Sequence, residues 1–293
     1  MDLCTGRKLR MPDIQSNEQT DLKIIVVSSL KEYTEQTENL EKQGWWFRGQ
    51  PCASFRLLPG IYRNGIHADP NAQKDDVTFP FINNDREIIE KYLTHLKDQN
   101  PGITFLQAMY QAQHYGVQTR LLDFSADKYI GLFFAVSNPE KECNDTFDYY
   151  YEFNDNYVAV FCLNPLMCNH FSYGKDVILN LSELSRQKIY KNDTPIALEP
   201  DFDNVRIKAQ SGKFILFGQF WQPLDWFNII RKTSLIKIII PKTACPDFTN
   251  ELQQIGYTYD TVYPDSNGEK DFIENLNDEL RNSLVCIKDL EVP

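Results

Sequence analysis

A chain of 293 residues that is 42% apolar and 13% aromatic holds ample material for a packed core, which excludes disorder as its main state. Its 41 acidic side chains outnumber 30 basic ones, giving a net charge of −11 and a pI near 4.9. Such a surface repels polyanions, so non-specific nucleic-acid binding is not expected, although a local basic pocket is compatible with it. The longest apolar stretches, around Ile24 to Val27 and Leu235 to Ile240, are too short to cross a bilayer, so no membrane partner is expected. Met1 to Gln15 lacks the apolar core of a signal peptide, and the odd number of cysteines, 7, without a framework spacing fits a reducing compartment. A cytoplasmic protein is the expectation.

Residues 1–20 are polar and aperiodic and read as a flexible N-terminal arm. Leu22 to Val27 reads as a strand, and Ser29 with Glu32 three residues on is a capping-box signature for a helix running to about Gln43. Gly44 suits the end of that helix, and the aromatic run Trp45 to Arg48 reads as the next strand. Asp85 to Lys97 places Ile88, Ile89, Tyr92 and Leu96 on one face of a helix, and Thr104 to Tyr115 stacks Phe105, Met109 and Ala112 in another that Gly116 ends. Thr119 to Leu122 is expected as a short strand and Asp127 to Ser137 as a largely buried helix.

Glu140 to Asn156 is acidic and tyrosine-rich and reads as an inserted loop or hairpin. Tyr157 to Leu163, Lys213 to Phe217 and Leu235 to Ile240 are β-rich runs bounded by turn residues, expected to share a sheet. Phe272, Leu276 and Leu280 repeat at helical spacing before a polar tail at 286–293. No repeat or linker divides the chain, so residues 21–285 are expected to form one α+β domain with a mixed or antiparallel central sheet and flanking helices.

The sequence lacks a Lys-Ser or Lys-Thr phosphate loop, a dinucleotide Gly-x-Gly-x-x-Gly fingerprint, a Gly-x-Ser-x-Gly elbow and a His-Glu-x-x-His zinc helix. Cys162, Cys168 and His170 follow no familiar zinc spacing and lack a second cysteine pair, so they read as buried thiols and a surface histidine, and no metal is expected. His67 and His95 are isolated.

Three polar blocks stand out. In Trp45-Trp46-Phe47-Arg48-Gly49-Gln50 an arginine closes a strand just before a glycine, which offers a guanidinium fork at a strand end with a glycine that lets a ligand approach the backbone; the plain alternative is a structural arginine paired with a buried carboxylate. Arg56 and Arg63 follow. Gln113-His114-Tyr115-Gly116-Val117-Gln118-Thr119-Arg120-Leu121-Leu122-Asp123-Phe124-Ser125 packs polar side chains at a helix end and along the next strand, either as a site or as a core network in which Arg120 and Asp123 pair. Arg206 to Phe214 sets an arginine, Gln210 and Gly212 before a strand, and Tyr263-Pro264-Asp265 ends a last strand-like run.

Together these blocks resemble the FRG domain family. Its Phe-Arg-Gly motif corresponds to Phe47-Arg48-Gly49. Gln-His-x-Gly-x-x-Thr-Arg-Leu-Leu-Asp corresponds to Gln113 to Asp123, Arg-x-x-x-Gln-x-Gly-x-Phe to Arg206 to Phe214, and a late Pro-Asp to Pro264-Asp265. The resemblance implies a bacterial or phage-linked domain whose chemistry the family name does not define. A second similarity, to ADP-ribosyltransferases of the arginine, serine, glutamate type, rests on Phe47-Arg48-Gly49 and on Leu122 to Ser125 followed by Gly131-Leu132-Phe133-Phe134-Ala135.

That similarity implies an ADP-ribosyltransferase-like fold with NAD as substrate, Arg48 as clamp for ribose and phosphate, and Ser125 as organiser. Gln210 stands where those enzymes carry the glutamate that stabilises the oxocarbenium-like charge, a role an amide fills poorly, so Asp123 or another carboxylate would have to substitute. Gln50, His114, Thr119, Arg120 and Arg206 are the expected ligand-binding residues. The alternative is a sensor that binds a nucleotide or a nucleic-acid end through Arg48, Arg120 and Arg206 without turnover. A metal-dependent nuclease using Asp123 and Asp265 has the thinnest ligand set of the three.

Overall fold

The computed structural model describes residues 22–63, 85–98, 100–114, 116–141, 156–180, 184, 194–200, 204–218 and 223–264. The expected arm, the helix through Phe272, Leu276 and Leu280, the tail, His67, Asp265 and most of the insertion after Glu140 lie outside these residues.

In chain order the elements that build the sheet and its cover are β1 (Lys23–Val26), α1 (Leu30–Lys42), β2 (Trp46–Gln50), α2 (Gly60–Arg63), α3 (Asp85–Lys97), α4 (Phe105–His114), β3 (Leu121–Ser125) and α5 (Lys128–Val136). These are followed by β4 (Tyr157–Leu163), α6 (Pro165–Tyr173), β5 (Leu179–Asn180), β6 (Ile196–Glu199), β7 (Gly212–Leu216) and β8 (Leu235–Pro241). Short helices at Val205–Ala209, Asn228–Thr233 and Tyr259–Val262 and a longer one at Cys245–Gln254 fill the connections.

Local chemistry sets the boundaries. Ser29 Oγ accepts from Glu32 N at 3.3 Å, and the Glu32 carboxylate reaches back to Ser28 N at 2.8 Å, one residue before the cap. Gly44 leaves α1 with φ +78°, where a Cβ is disfavoured, and delivers the chain into β2. Pro165 begins α6 behind Asn164, whose Oδ1 accepts from Met167 N, and Gly174 ends it in the left-handed region.

Among the described residues the sheet has eight strands in the order β1-β8-β4-β2-β3-β7-β6-β5. The β1–β8 and β5–β6 pairs are parallel and the other five neighbours antiparallel, so the fold is α+β with a mixed sheet. Helices cover both faces, which is why β4 reads as a continuous apolar run: Ala159, Phe161 and Leu163 enter one core, and Val158, Val160 and Cys162 the other. β8 does the same with Ile236, Ile238 and Ile240 against Leu235 and Ile239, and it also buries Lys237.

The expected strands at Trp45 to Arg48, Thr119 to Leu122 and Lys213 to Phe217 do share this sheet, with their ends shifted by one to three residues. The strand-like run ending at Tyr263 is instead the short helix Tyr259–Val262, closed by a capping box between Thr258 and Thr261. Cys52 is disulfide-bonded, against the expectation of reduced cysteines at that position.

Candidate functional site

The sheet opens between β2 and β3. β2 holds five consecutive register pairs with β4, and β3 holds five with β7, whereas β2 and β3 share only Phe47 with Ser125. Two residues along β3 from that pair, Arg48 Nη1 donates to the Asp123 carbonyl at 2.6 Å. A guanidinium thus takes an acceptor that a neighbouring strand would otherwise take, and it spans the opening.

Gly49 does not serve that opening. A Cβ there would overlap the Gly131 carbonyl and the Ala135 amide, and one on Gly131 would lie 2.6 Å from Phe47 Cβ. The glycine expected to let a ligand reach the backbone lets α5 lie directly on β2 instead, and the ligand reading for Gly49 is corrected on steric grounds.

Asp123 is exposed although it lies in the middle of an interior strand. It pairs with Phe214 on β7, and Tyr110 of α4 packs edge-on against that ring at 5.2 Å, so α4 covers this face. The last turn of α4 brings Gln113 Nε2 to Asp123 Oδ1 at 2.5 Å. Gly116, at φ +99°, ends the helix and turns the chain back, so that the Thr119 hydroxyl donates to Gln113 Oε1 and accepts from Leu121 N at 3.1 Å.

The third block arrives from the β7 side. Asn204 caps the helix Val205–Ala209 by accepting from Arg206 N and Ile207 N at 2.9 and 3.0 Å. Arg206 then lies over the Tyr263 ring at 4.8 Å, with Nη1 3.5 Å from the His114 carbonyl. Phe134 of α5 meets Tyr263 edge-on at 6.0 Å. The Tyr263 phenol is pushed above its usual pKa mainly by burial, with the Asp123 charge adding to the rise and Arg206 opposing it. Arg48, Gln113, Asp123, Arg206 and Tyr263 therefore form one neighbourhood drawn from four separate stretches of sequence.

The remaining candidates sit at its edge or elsewhere. The Ser125 hydroxyl donates to the Gln210 carbonyl at 2.7 Å and accepts from Asp127 N at 2.9 Å. The Gln210 side chain donates to the Val262 carbonyl at 3.0 Å, tying the turn before β7 to the helix that carries Tyr263. That turn passes through Ser211 at φ +47°, held by Ala126 N on its carbonyl at 2.9 Å. Thr119 is buried within the Gln113 contact, and the ring of His114 tilts against Tyr110 at 6.3 Å.

Arg120 is 9% exposed, donates to the Gly218 carbonyl at 2.8 Å and covers the Tyr62 ring at 5.9 Å, and the Asp123 side chain accepts from Gln113. Gln50 is buried, with Nε2 3.5 Å from the Arg56 carbonyl. Arg56 itself forms a fully buried ion pair with Asp225 at 3.1 Å, and Asp225 also accepts from Leu57 N.

Cys162 and Cys168 are buried thiols, the second pushed up to about 12 mainly by burial, and His170 pairs with Asp176 at 2.5 Å. Sequence reasoning missed Tyr263 and Phe134 as site residues. The signal for Tyr263 was its place directly before the late Pro-Asp motif.

Residues 43–144 match the family model of the FRG domain. The chain carries an FRG domain. No curated protein and no solved structure matches the chain. The FRG segment supplies Arg48, Gln113, Asp123 and Phe134, and the sequence beyond it supplies Arg206 and Tyr263. The site as built is thus larger than the matched FRG segment.

Proposed function

We propose that the opening between β2 and β3 binds a phosphate-bearing nucleotide, with NAD the candidate ligand and substrate. The observation that carries this reading is that Arg48, on the Asp123 carbonyl, and Arg206, over the Tyr263 ring, 158 positions apart, meet in one neighbourhood with the exposed Asp123 side chain, where two neighbouring strands cease to pair. Guanidinium groups recognise phosphate by paired, charge-assisted hydrogen bonds, and a nearby carboxylate accepts from sugar hydroxyls. The Tyr263 ring adds an aromatic wall beside them.

If the bound nucleotide turns over, Asp123 is the residue that would carry the role expected of a glutamate, because Gln210 is an amide already holding the Val262 carbonyl and the Ser125 hydroxyl organises the same turn. Binding without turnover is the second reading, and the engagement of Gln210 and Ser125 in that turn favours it. Incubation with NAD followed by assay for free nicotinamide separates the two. Release that disappears in Asp123→Asn supports a glycohydrolase or ADP-ribosyltransferase, whereas tight binding with no release supports a nucleotide sensor.

A further inference from the structure

We infer that Gln113 and Thr119 are positioning residues that hold Asp123 as an ionised, oriented carboxylate, and that Asp123 accepts from a sugar hydroxyl of the bound nucleotide. The hydrogen bonds form a directional chain. Leu121 N donates to Thr119 Oγ1, the Thr119 hydroxyl donates to Gln113 Oε1, and Gln113 Nε2 donates to Asp123 Oδ1. A primary amide has a donor end and an acceptor end, so fixing its carbonyl on Thr119 turns its N–H groups to Asp123. The carboxylate oxygen facing them must then accept, and it carries no proton.

The reversed amide would present its carbonyl to Asp123 and require a protonated carboxyl there. It would also take from the Thr119 hydroxyl, which already accepts from Leu121 N, the carbonyl oxygen that receives its proton. Arg48 on the Asp123 carbonyl and Arg206 over Tyr263 share this neighbourhood with the carboxylate. Asp123 remains exposed while so held, so the chain orients it without covering it. An acceptor fixed in this way suits a hydroxyl, and it repels the phosphate that Arg48 and Arg206 attract.

The relay is independent of any ligand; only the sugar contact rests on the nucleotide reading. Titration of the Asp123 side-chain carboxyl by NMR in the ligand-free full chain tests the relay. Thr119→Val and Gln113→Leu should each raise its midpoint by about half to one pH unit relative to wild type, the size of one ordinary hydrogen bond, while Thr119→Ser restores the wild-type value. A midpoint unmoved in both disruptive variants, or moved equally by Thr119→Ser, overturns it; either disruptive variant alone suffices should the other fail to fold.

Calorimetry with two probes tests the sugar contact. Asp123→Asn, which keeps an oxygen for Gln113, should bind NAD about tenfold more weakly and inorganic pyrophosphate at least as well as wild type. Equal losses for both probes overturn the contact. Wild type binding neither probe overturns it together with the nucleotide reading, and the titration still decides the relay.

Discussion

Lys237 lies fully buried in β8 and donates through Nζ to the Ala53 carbonyl at 2.5 Å, pinning the loop that follows the Phe-Arg-Gly strand to the centre of the sheet. Burial is the main force on its amine, which is pushed down to about 7, with Asp225 opposing and Arg56 adding to the fall. The unfolded chain therefore binds more protons than the folded one between about pH 7 and the ordinary lysine value. Folding stability at this group is lowest below pH 7 and recovers as the pH rises through that window. Lys237→Met should raise stability relative to wild type most at pH 6 and least at pH 9, measured by denaturant unfolding at both. A wild-type-to-variant difference that is the same at the two pH values contradicts it.

Arg56 and Asp225 are the neighbouring buried pair, and Asp225 also holds Leu57 N. Removing one partner leaves a charge without its counterion in the core, so Arg56→Met should cost about 3 to 5 kcal/mol of unfolding free energy. Arg56→Met combined with Asp225→Asn should lose clearly less than the sum of the two single changes. Strict additivity in that double-mutant cycle would show that the pair is not coupled.

The contact between Gly49 and Gly131 makes a steric prediction. Because a Cβ at either position meets backbone or the root of a buried side chain, Gly49→Ala and Gly131→Ala should each destabilise by about 1 to 3 kcal/mol, as overpacked cores do. Thermal unfolding checks this. An unchanged midpoint would mean that α5 can lift from β2 without penalty.

Much of this was legible from period and punctuation. Asp85–Lys97 and Tyr157–Leu163 are bounded as the sequence predicts, because one shows an uninterrupted amphipathic period and the other an unbroken apolar run between turn residues. β3 starts two residues later than expected because Thr119 uses its hydroxyl on Leu121 N and the Gln113 amide, which keeps it in the turn. Arg48, Gln113, Asp123 and Arg206 stood out as polar residues in patterned stretches. Tyr263 and Phe134 did not, since their meeting depends on the helices Val205–Ala209 and Tyr259–Val262, both too short to show a period. Gly49 was misread because nothing local distinguishes a glycine that admits a ligand from one that admits a helix. Lys237, inside Leu235–Pro241, was not singled out by the β-rich pattern, and the path of the loop at Ala53 supplies the partner for its buried amine.

The nucleotide reading stands or falls on Arg48, which bridges the opening through the Asp123 carbonyl and faces the same neighbourhood as Arg206. A lysine can donate to that carbonyl but cannot make two parallel bonds to a phosphate. The decisive measurement is calorimetric titration of NAD into wild type, Arg48→Lys and Arg48→Ala, alongside their melting curves. Wild type should bind, and both variants should bind roughly ten- to a hundred-fold more weakly, the loss of about 1.5 to 3 kcal/mol expected for a bond to a charged group, with Arg48→Lys melting close to wild type. No binding by wild type at millimolar NAD, or an Arg48→Ala variant that binds as well but melts far lower, would make Arg48 a strand-bridging residue and contradict the site.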